Sequence, residues 1–422
     1  MDRWIGGLDV TLLDDAQAIS SRWMAELNLA TLIEGCLDES ATLEGSVDLV
    51  AIGKASREMT RASRAALGTR VRREIVVSDN AVDFVFTGQT LVGEHPVPGE
   101  GSLRAGLAVV TFLESDDHAD MTLVLLSGGA SSLCVLPAGP LTLDDLGEIW
   151  HAALRAGVDI TTLNQIRATS SLIAGGALLR YVRTRRSTSL ILVDNVVSGA
   201  PWVASAMTYD YQPSSADVLA LWKSIDVVTP LRRKMVQALE DRTRLMSRPV
   251  ESVHSNVVVA EPSLMLDRAM AEASRRGYGV VNMGARVIGD VTAAAREWGE
   301  VVRNADPQTA VIGVGEVTVQ VNDAGEGGRC QEFAWLMAKE LSHDDRSSAF
   351  VARASDGRDY LPGVAGAWVD ETTLTRMDEH GLDWSEVAEA HDTYPALRAL
   401  GQLIDGGHTG WNLCDLYVAL VE

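Results

Sequence analysis

Cysteine is scarce in this 422-residue chain, which has only Cys36, Cys134, Cys330 and Cys414. They lie far apart, with no C-x-x-C and no histidine pair at zinc spacing, which argues against a disulfide framework and a structural zinc site. Scattered reduced thiols are what a cytosolic protein carries. Positive charge is also short: 36 Lys and Arg face 58 Asp and Glu, a formal net charge of −22. That excess repels nucleic-acid phosphates and anionic lipid heads, so no nucleic-acid partner is expected. An anionic small molecule is not excluded, but it needs a locally basic pocket. Long uncharged apolar runs are missing too. Stretches such as Leu123–Leu126 are strand-sized, far short of the roughly 20 residues of a membrane span. Met1–Asp14 mixes charges with glycine, unlike a leader peptide. The expectation is a soluble, cytoplasmic protein with no membrane partner. Tandem repeats and low-complexity segments are absent as well.

What is present is an ordinary globular balance, 46 % hydrophobic and 22 % charged residues, over a length that suggests two or three domains. An amphipathic helix is expected over about 14–39. Strands, Gly-rich turns and helices then alternate: Asp48–Ile52, Thr122–Leu126 and Ser189–Val193 read as short buried strands. That alternation predicts a mostly parallel sheet covered on both faces. The turn Gln212–Ser215 precedes a helix over Val227–Asp241, and Ser247-Arg248-Pro249 is the expected boundary between domains 1–247 and 248–422. Beyond it come a helix (Pro262–Arg276), strands at Ala310–Gly313, Glu316–Val321 and Ala349–Ala354, and a helix at Gln331–Leu341.

Six places carry chemical possibilities. Ser127-Gly128-Gly129-Ala130-Ser131-Ser132 follows a strand and precedes a helix. Its N–H groups suit a phosphate, although it equally suits a plain turn of small residues, and it is no Walker A loop. Lys54 follows another strand, where it would neutralise a phosphoryl group or simply sit in solvent. Asp194 ends a third strand, as a general base, a magnesium ligand or a turn-capping residue. The stretch Asn322-Asp323-Ala324-Gly325-Glu326-Gly327-Gly328-Arg329 would place Arg329 beside free helix N–H groups, as an anion site or as a hairpin tip. His95, in a Pro-rigidified loop, and Gly407–Asn412 bind something or only shape the chain.

In this order, the segments Val50–Ala55, His95–Pro98, Leu126–Gly129, Asn164–Arg167, Gly315–Val319, Gly327–Glu332, Ala354–Gly357 and Gly407–Leu416 resemble the type II glycerate 2-kinases, whose C-terminal domain is known as MOFRL. The resemblance spans nearly the whole chain. It implies an α/β fold with a Rossmann-like N-terminal domain, a smaller C-terminal α/β domain and an active site in the cleft between them. It implies transfer of a phosphoryl group from ATP, with Mg2+, to the 2-hydroxyl of glycerate. Lys54, Asp194 and Arg329 match residues proposed to be catalytic, with Asp194 also the candidate metal ligand. Ser127, Gly128, Gly129, Ser131, Gly315, Glu316, Gly327, Gly328, Asp356, Thr409 and Asn412 are assigned to the nucleotide, and His95, Asn164 and Arg167 to the acceptor. A small hydroxy acid or related alcohol is the expected partner, and a homodimer is compatible with the reading.

The chain also departs from the pattern. Ser198 replaces an acid, Ala168 and Ala174 replace lysines, and Trp202 and Trp411 stand where smaller residues are usual. These changes predict an acceptor larger or less charged than glycerate. Two further readings remain: an ATP-using biosynthetic enzyme that activates a carboxylate or hydroxyl for condensation or elimination, and an inert homologue acting as a binding subunit.

Overall fold

A computed structural model describes residues 4–5, 8–9, 11–39, 45–80, 88–320, 325–343 and 346–422. Asn322, Asp323, Ala324 and Val321, which the sequence reading placed in a turn and a strand, lie outside the described residues. The chain divides into two compact units, Leu29–Ala260 and a second made of Met1–Asn28 with Glu261–Glu422. No helix among the described residues is long and apolar enough to cross a membrane.

A short antiparallel pair, β1 (Trp4–Ile5) with β2 (Leu8–Asp9), opens the chain. The unit Leu29–Ala260 holds β3 (Val47–Ile52), β4 (Val71–Ser78), β5 (Gln89–Val92), β6 (Met121–Leu126), β7 (Arg186–Leu192) and β8 (Val253–Ala260). Every residue of β3 and β6 is buried, and apart from Asp48, paired with Arg73, and Thr122, bonded to Thr184, both are apolar, as strands covered on both faces require. All the pairings are parallel, in the order β5-β4-β3-β6-β7-β8. That order is the doubly wound arrangement, with its reversal between β3 and β6. Ligands of such sheets sit where the two central connections diverge, which is where Lys54 and Ser127–Gly129 fall. A separate helical core built on Trp150, Trp222, Met235 and Leu231 joins the helices Leu143–Arg155, Ile160–Thr169, Ser215–Lys223 and Thr229–Met246.

The other unit is built on a mixed sheet of β9 (Gly279–Asp290), β10 (Thr309–Thr318), β11 (Ser348–Ala354), β12 (Val364–Asp370), β13 (Leu403–Asp405) and β14 (Asp415–Val421). Its order is β13-β12-β11-β14-β10-β9, with β9 and β10 parallel and the other neighbours antiparallel. Helices Val291–Asn304 and Arg329–Leu341 bury Trp298, Phe333 and Trp335 against Phe350 and Tyr417 of the sheet. Phe333 and Tyr417 meet edge to face at 4.9 Å.

Three expectations change here. The first sheet does not end at 247. Arg248-Pro249 only terminates the helix Thr229–Met246, and β8 then completes the sheet to Ala260. The single helix expected over 14–39 is two, Leu12–Glu26 and Leu29–Glu39, and they belong to different units. The two strands expected around Gly315 are one, β10, because Gly315 lets the strand run on past the Val287 carbonyl. A Cβ there would lie 1.9 Å from that oxygen.

The first of the two helices is held by a buried carboxylate. Asp15 accepts from the Tyr278 hydroxyl at 2.9 Å and is paired with the Arg276 guanidinium. Trp23 of the same helix meets Trp411 edge to face at 5.8 Å. Asp15→Ala should therefore cost about 1–3 kcal/mol, the usual loss for hydrogen bonds to a charged group. Arg276 keeps Glu272 at 2.7 Å, which limits the damage. Urea denaturation of the full chain, followed by tryptophan fluorescence, measures this.

Candidate active site

Gly53 N–H, just past the end of β3, donates to the Val77 carbonyl of β4 at 3.1 Å. Three hydrogen bonds then join the turns after β3 and β6. Ser127 N–H donates to the Ile52 carbonyl at 3.1 Å. Lys54 N–H donates to the Gly128 carbonyl at 2.9 Å, and Ala55 N–H donates to Ser127 Oγ at 3.0 Å. Gly53 has φ 132°, and a Cβ there would lie 2.2 Å from Ser127 Oγ. Only glycine allows the two turns to approach so closely. Gly129 is left-handed, with φ 80°, and a Cβ on it would meet Lys54 Cγ at 3.2 Å and His95 Cδ2 at 3.3 Å. Lys54 and His95 therefore close over Gly129, against the place that a side chain would take. The helix expected after this loop is one turn only, Ala130–Leu133. So short a helix adds little macrodipole. Ser127 and Gly128 are buried, so the partly exposed Gly129 and Ser131, with Lys54, are what the loop offers an anion.

His95 is placed by Ser132, whose hydroxyl donates to the Pro96 carbonyl at 2.8 Å. The residue is exposed overall, but partial burial of its ring disfavours the imidazolium, and the charges of Lys54 and Arg167 oppose it further. Together they bring its pKa down to about 4. Asp194 lies at the same carboxyl edge, just beyond the end of β7, and is partly buried. The turn behind it is fixed by Asn195 Oδ1, which accepts from Ser198 N–H at 2.9 Å and Gly199 N–H at 2.7 Å. Ser198, which stands where the family carries an acid, thus serves this turn.

Asn164 and Arg167 lie on the helix Ile160–Thr169. Ser205 Oγ donates to Asn164 Oδ1 at 3.3 Å and meets Ser131 Oγ at 2.8 Å. Ser205 belongs to a run of three left-handed non-glycine residues, Ala204, Ser205 and Ala206, at φ 55°, 50° and 60°. Such strain persists where surrounding bonds enforce it and is concentrated at functional sites. Here Gly175 N–H donates to the Ser205 carbonyl at 2.9 Å and Gly176 N–H to Ala206 at 2.6 Å. The Arg167 guanidinium covers Trp150 at 4.7 Å, and burial pushes its pKa down to about 10. Arg242, which no motif signalled, is a buried cation that pins the neighbouring loop by donating to the Ser171, Ala174 and Gly175 carbonyls. Ala168 is fully enclosed, and Ala174 lines a small recess beside Arg167.

In the other unit Glu316, Gly327, Gly328 and Arg329 line one cavity of about 780 Å³. Arg329 is not the free cation of the sequence reading. Its Nε and one terminal nitrogen grip the buried carboxylate of Asp415 at 2.6 and 2.9 Å, and Glu316 lies 3.3 Å away. Although burial opposes the charge, Asp415 and then Glu316 hold its pKa well above the usual value. Nor are the helix N–H groups free. Cys330 and Gln331 donate theirs to Asp359 at 3.1 and 2.9 Å, and a Cβ on Gly328 would strike that carboxylate. The cavity is lined by Glu316, Glu326, Glu332 and Asp359 against Arg329 and His391, so its balance is acidic. His391 Nδ1 lies 3.1 Å from Glu332, a pair that no spacing in the sequence revealed.

Asp356, Thr409 and Asn412 gather elsewhere in this unit, around Ser355. Thr409 Oγ1 donates to the Ser355 carbonyl at 2.6 Å, and Leu413 N–H donates to Ser355 Oγ at 2.7 Å. Asp356 accepts from Arg358 N–H at 2.9 Å. Trp411 is 6 % exposed and packs on Trp23, so it is a core residue and not a pocket wall. Trp202 meets Tyr211 at 5.0 Å.

Two family models match the chain: a domain of unknown function (DUF4147) over residues 15–240 and the MOFRL family over 309–415. The chain belongs to the type II glycerate kinase family. It is 27 % identical over 398 residues to a glycerate 2-kinase of Pyrococcus horikoshii, covering 90 % of this chain and 88 % of that one. It is 30 % identical over 391 residues to a putative hydroxypyruvate reductase of Agrobacterium vitis, covering 89 % and 87 %. The crystal structure of a glycerate kinase from Thermotoga maritima superimposes with a TM-score of 0.82 at 25 % identity, over 97 % of this chain and 99 % of that one. The family membership makes the chain an enzyme of phosphotransferase type with a hydroxyl acceptor and a small-molecule substrate.

Two outcomes follow from the stitched turns. Gly53→Ala should destabilise the parallel-sheet unit by about 2–4 kcal/mol, through left-handed strain and overlap with Ser127; urea denaturation reads this. His95 should stay neutral from pH 8 to pH 5, with its ring protons in NMR titrating near pH 4. A depressed histidine pKa means that the unfolded chain takes up the proton first. Stability should therefore be complete above about pH 6.5 and fall as pH drops toward about 4. His95→Asn should flatten that part of the profile.

Proposed function

We propose that the protein transfers a phosphoryl group from ATP to the hydroxyl of a small hydroxy acid, with acceptor specificity altered from that of glycerate. One observation carries this reading: the joined turns after β3 and β6 set Lys54 beside a loop whose Gly129 leaves space that a Cβ would fill. Backbone N–H groups and a lysine at the carboxyl edge of a parallel sheet suit a phosphate chain. In a chain with a net charge of −22, Lys54 and Arg167 supply the local positive charge that an anionic substrate needs. The chain contains no G-x-G-x-x-G dinucleotide fingerprint, so the reductase name of the A. vitis relative finds no support in its turns.

In the proposed reaction Lys54 neutralises charge that develops on the transferred group. Asp194 takes the proton of the attacking hydroxyl as the bond from its oxygen to phosphorus forms and the bond to the leaving diphosphate oxygen breaks. Neutral His95 and Asn164 hydrogen-bond the acceptor, and Arg167 pairs with its carboxylate. Ser127, Gly128, Gly129 and Ser131 line the phosphate path. Within the second unit, Arg329, Gly315, Glu316, Gly327, Gly328, Asp356, Thr409 and Asn412 are the proposed nucleotide-binding residues. The pairing of Arg329 with Asp415 makes it a fixed donor, not a mobile charge.

Among the described residues no three His, Cys, Asp or Glu side chains group to hold a metal. A resident cage is therefore not built. Mg2+ carried by nucleotide phosphates needs only one or two protein carboxylates, a requirement that Asp194 fits, and it would supply charge neutralisation there. The cytoplasm is the proposed location, in keeping with the scattered thiols.

Lys54→Ala should lower kcat by about 10²–10³ and leave thermal stability nearly unchanged, since losing one charge-stabilising donor costs that much. A coupled assay for ADP release, run with a panel of short hydroxy acids, measures the first effect, and thermal melts measure the second. Undiminished turnover, or collapse of the fold, would remove Lys54 from catalysis.

A further inference from the structure

Arg167 has no counter-charge of its own. No ion pair to it occurs among the described residues, and its Nε is buried without a hydrogen-bond partner. A guanidinium in that state is costly unless a ligand completes it. Beside it is a recess of about 10 Å³, room for about one heavy atom. Cys134, Val135, Leu146, Trp150, Ala174 and Met207 form its apolar walls. Four serines also reach it, but their hydroxyls are largely committed. Ser131 and Ser205 bond each other, and Ser205 goes on to Asn164. Ser170 donates to the Ile166 carbonyl at 2.8 Å, and Ser171 accepts from Ile173 N–H at 3.2 Å. An incoming hydroxyl would find few partners here, and burying it unpaired is unfavourable.

We infer that Arg167, clamped on Trp150, binds the carboxylate of a 2-hydroxy acid and that the recess beside it selects a methyl-sized alkyl substituent over a hydroxymethyl group. The substrate class is short 2-hydroxy monocarboxylates with a hydrocarbon side chain. This rests on the reading of Arg167 as an acceptor-binding residue, and it is separable from the transfer of phosphate. Binding is therefore measured on the full chain by calorimetry, with D-lactate and D-glycerate as probes.

D-lactate should bind about tenfold or more tightly than D-glycerate, the discrimination that one group in a shaped pocket gives. Arg167→Ala should abolish binding of both acids while thermal melts show a folded protein. Arg167→Lys, which keeps the charge and loses the planar stack, should weaken both, and it carries the test if the alanine variant does not fold. Ala174→Ser should narrow the preference several-fold. Equal or tighter binding of D-glycerate, affinity that survives both Arg167 substitutions, or failure of D-lactate to bind would overturn the inference. Selective binding of D-lactate with no ATP-dependent phosphorylation of it would leave the inference standing and remove the kinase reading instead.

Discussion

The contact between Gly53 and Ser127 is the constraint on which the parallel-sheet unit depends for its chemistry. The two turns that diverge at the centre of a doubly wound sheet ordinarily separate, and their side chains separate with them. Here the absence of one Cβ lets the backbone of the first turn lie against the hydroxyl and carbonyl of the second. Three hydrogen bonds then lock the pair. Lys54 leaves the first turn and Gly129 the second, so the lysine reaches the loop without a flexible segment between them. The helix after the loop is a single turn, and this close approach does the positioning that a longer helix would otherwise do.

The strained run Ala204–Ser205–Ala206 plays a similar part on the acceptor side. Three left-handed residues without glycine are unfavourable by themselves. Gly175 and Gly176 hold them by backbone hydrogen bonds, and Arg242 in turn holds the loop that carries both glycines. Arg242 thus contributes to the pocket while remaining out of reach of any substrate. It shows how a buried cation can be structural while Arg167, on the helix Ile160–Thr169, keeps a buried Nε without a hydrogen-bond partner.

Much of the first unit was legible in the sequence because its signals are local. Leu49–Ile52 and Leu123–Leu126 are short apolar runs closed by glycine turns, and Lys54 and Ser127–Gly129 could be placed at strand ends from those runs alone. The second unit was harder to read. Arg329 follows a dense run of glycines and looks like a free cation, yet Asp415, 86 residues onward, claims it. The pairing of His391 with Glu332 is equally non-local, and so is the burial of Trp411 on Trp23. The sheet of this unit pairs strands far apart in sequence, with alternation weakened by glycine in β9, β10 and β12, so periodicity carried little information. The break between the helices Leu12–Glu26 and Leu29–Glu39 has no glycine or proline to announce it.

That break has a consequence for how the molecule is assembled. The helix Leu12–Glu26 leaves the ribosome well before the rest of its own unit, but the residues that bury Asp15 and Trp23 are Arg276, Tyr278 and Trp411. The whole of Leu29–Ala260 is in effect an insertion into the other unit, between its first helix and the remainder. Synthesis therefore delivers a complete parallel sheet while an orphan amphipathic helix waits at its head for most of the chain to follow. The waiting helix carries a capping box between Thr11 and Asp14, which gives it some local stability before its partners exist. A fragment beginning at Leu29 would contain every residue of the parallel sheet, yet it would leave the sheet face of β11 and β14 without the helix that covers it.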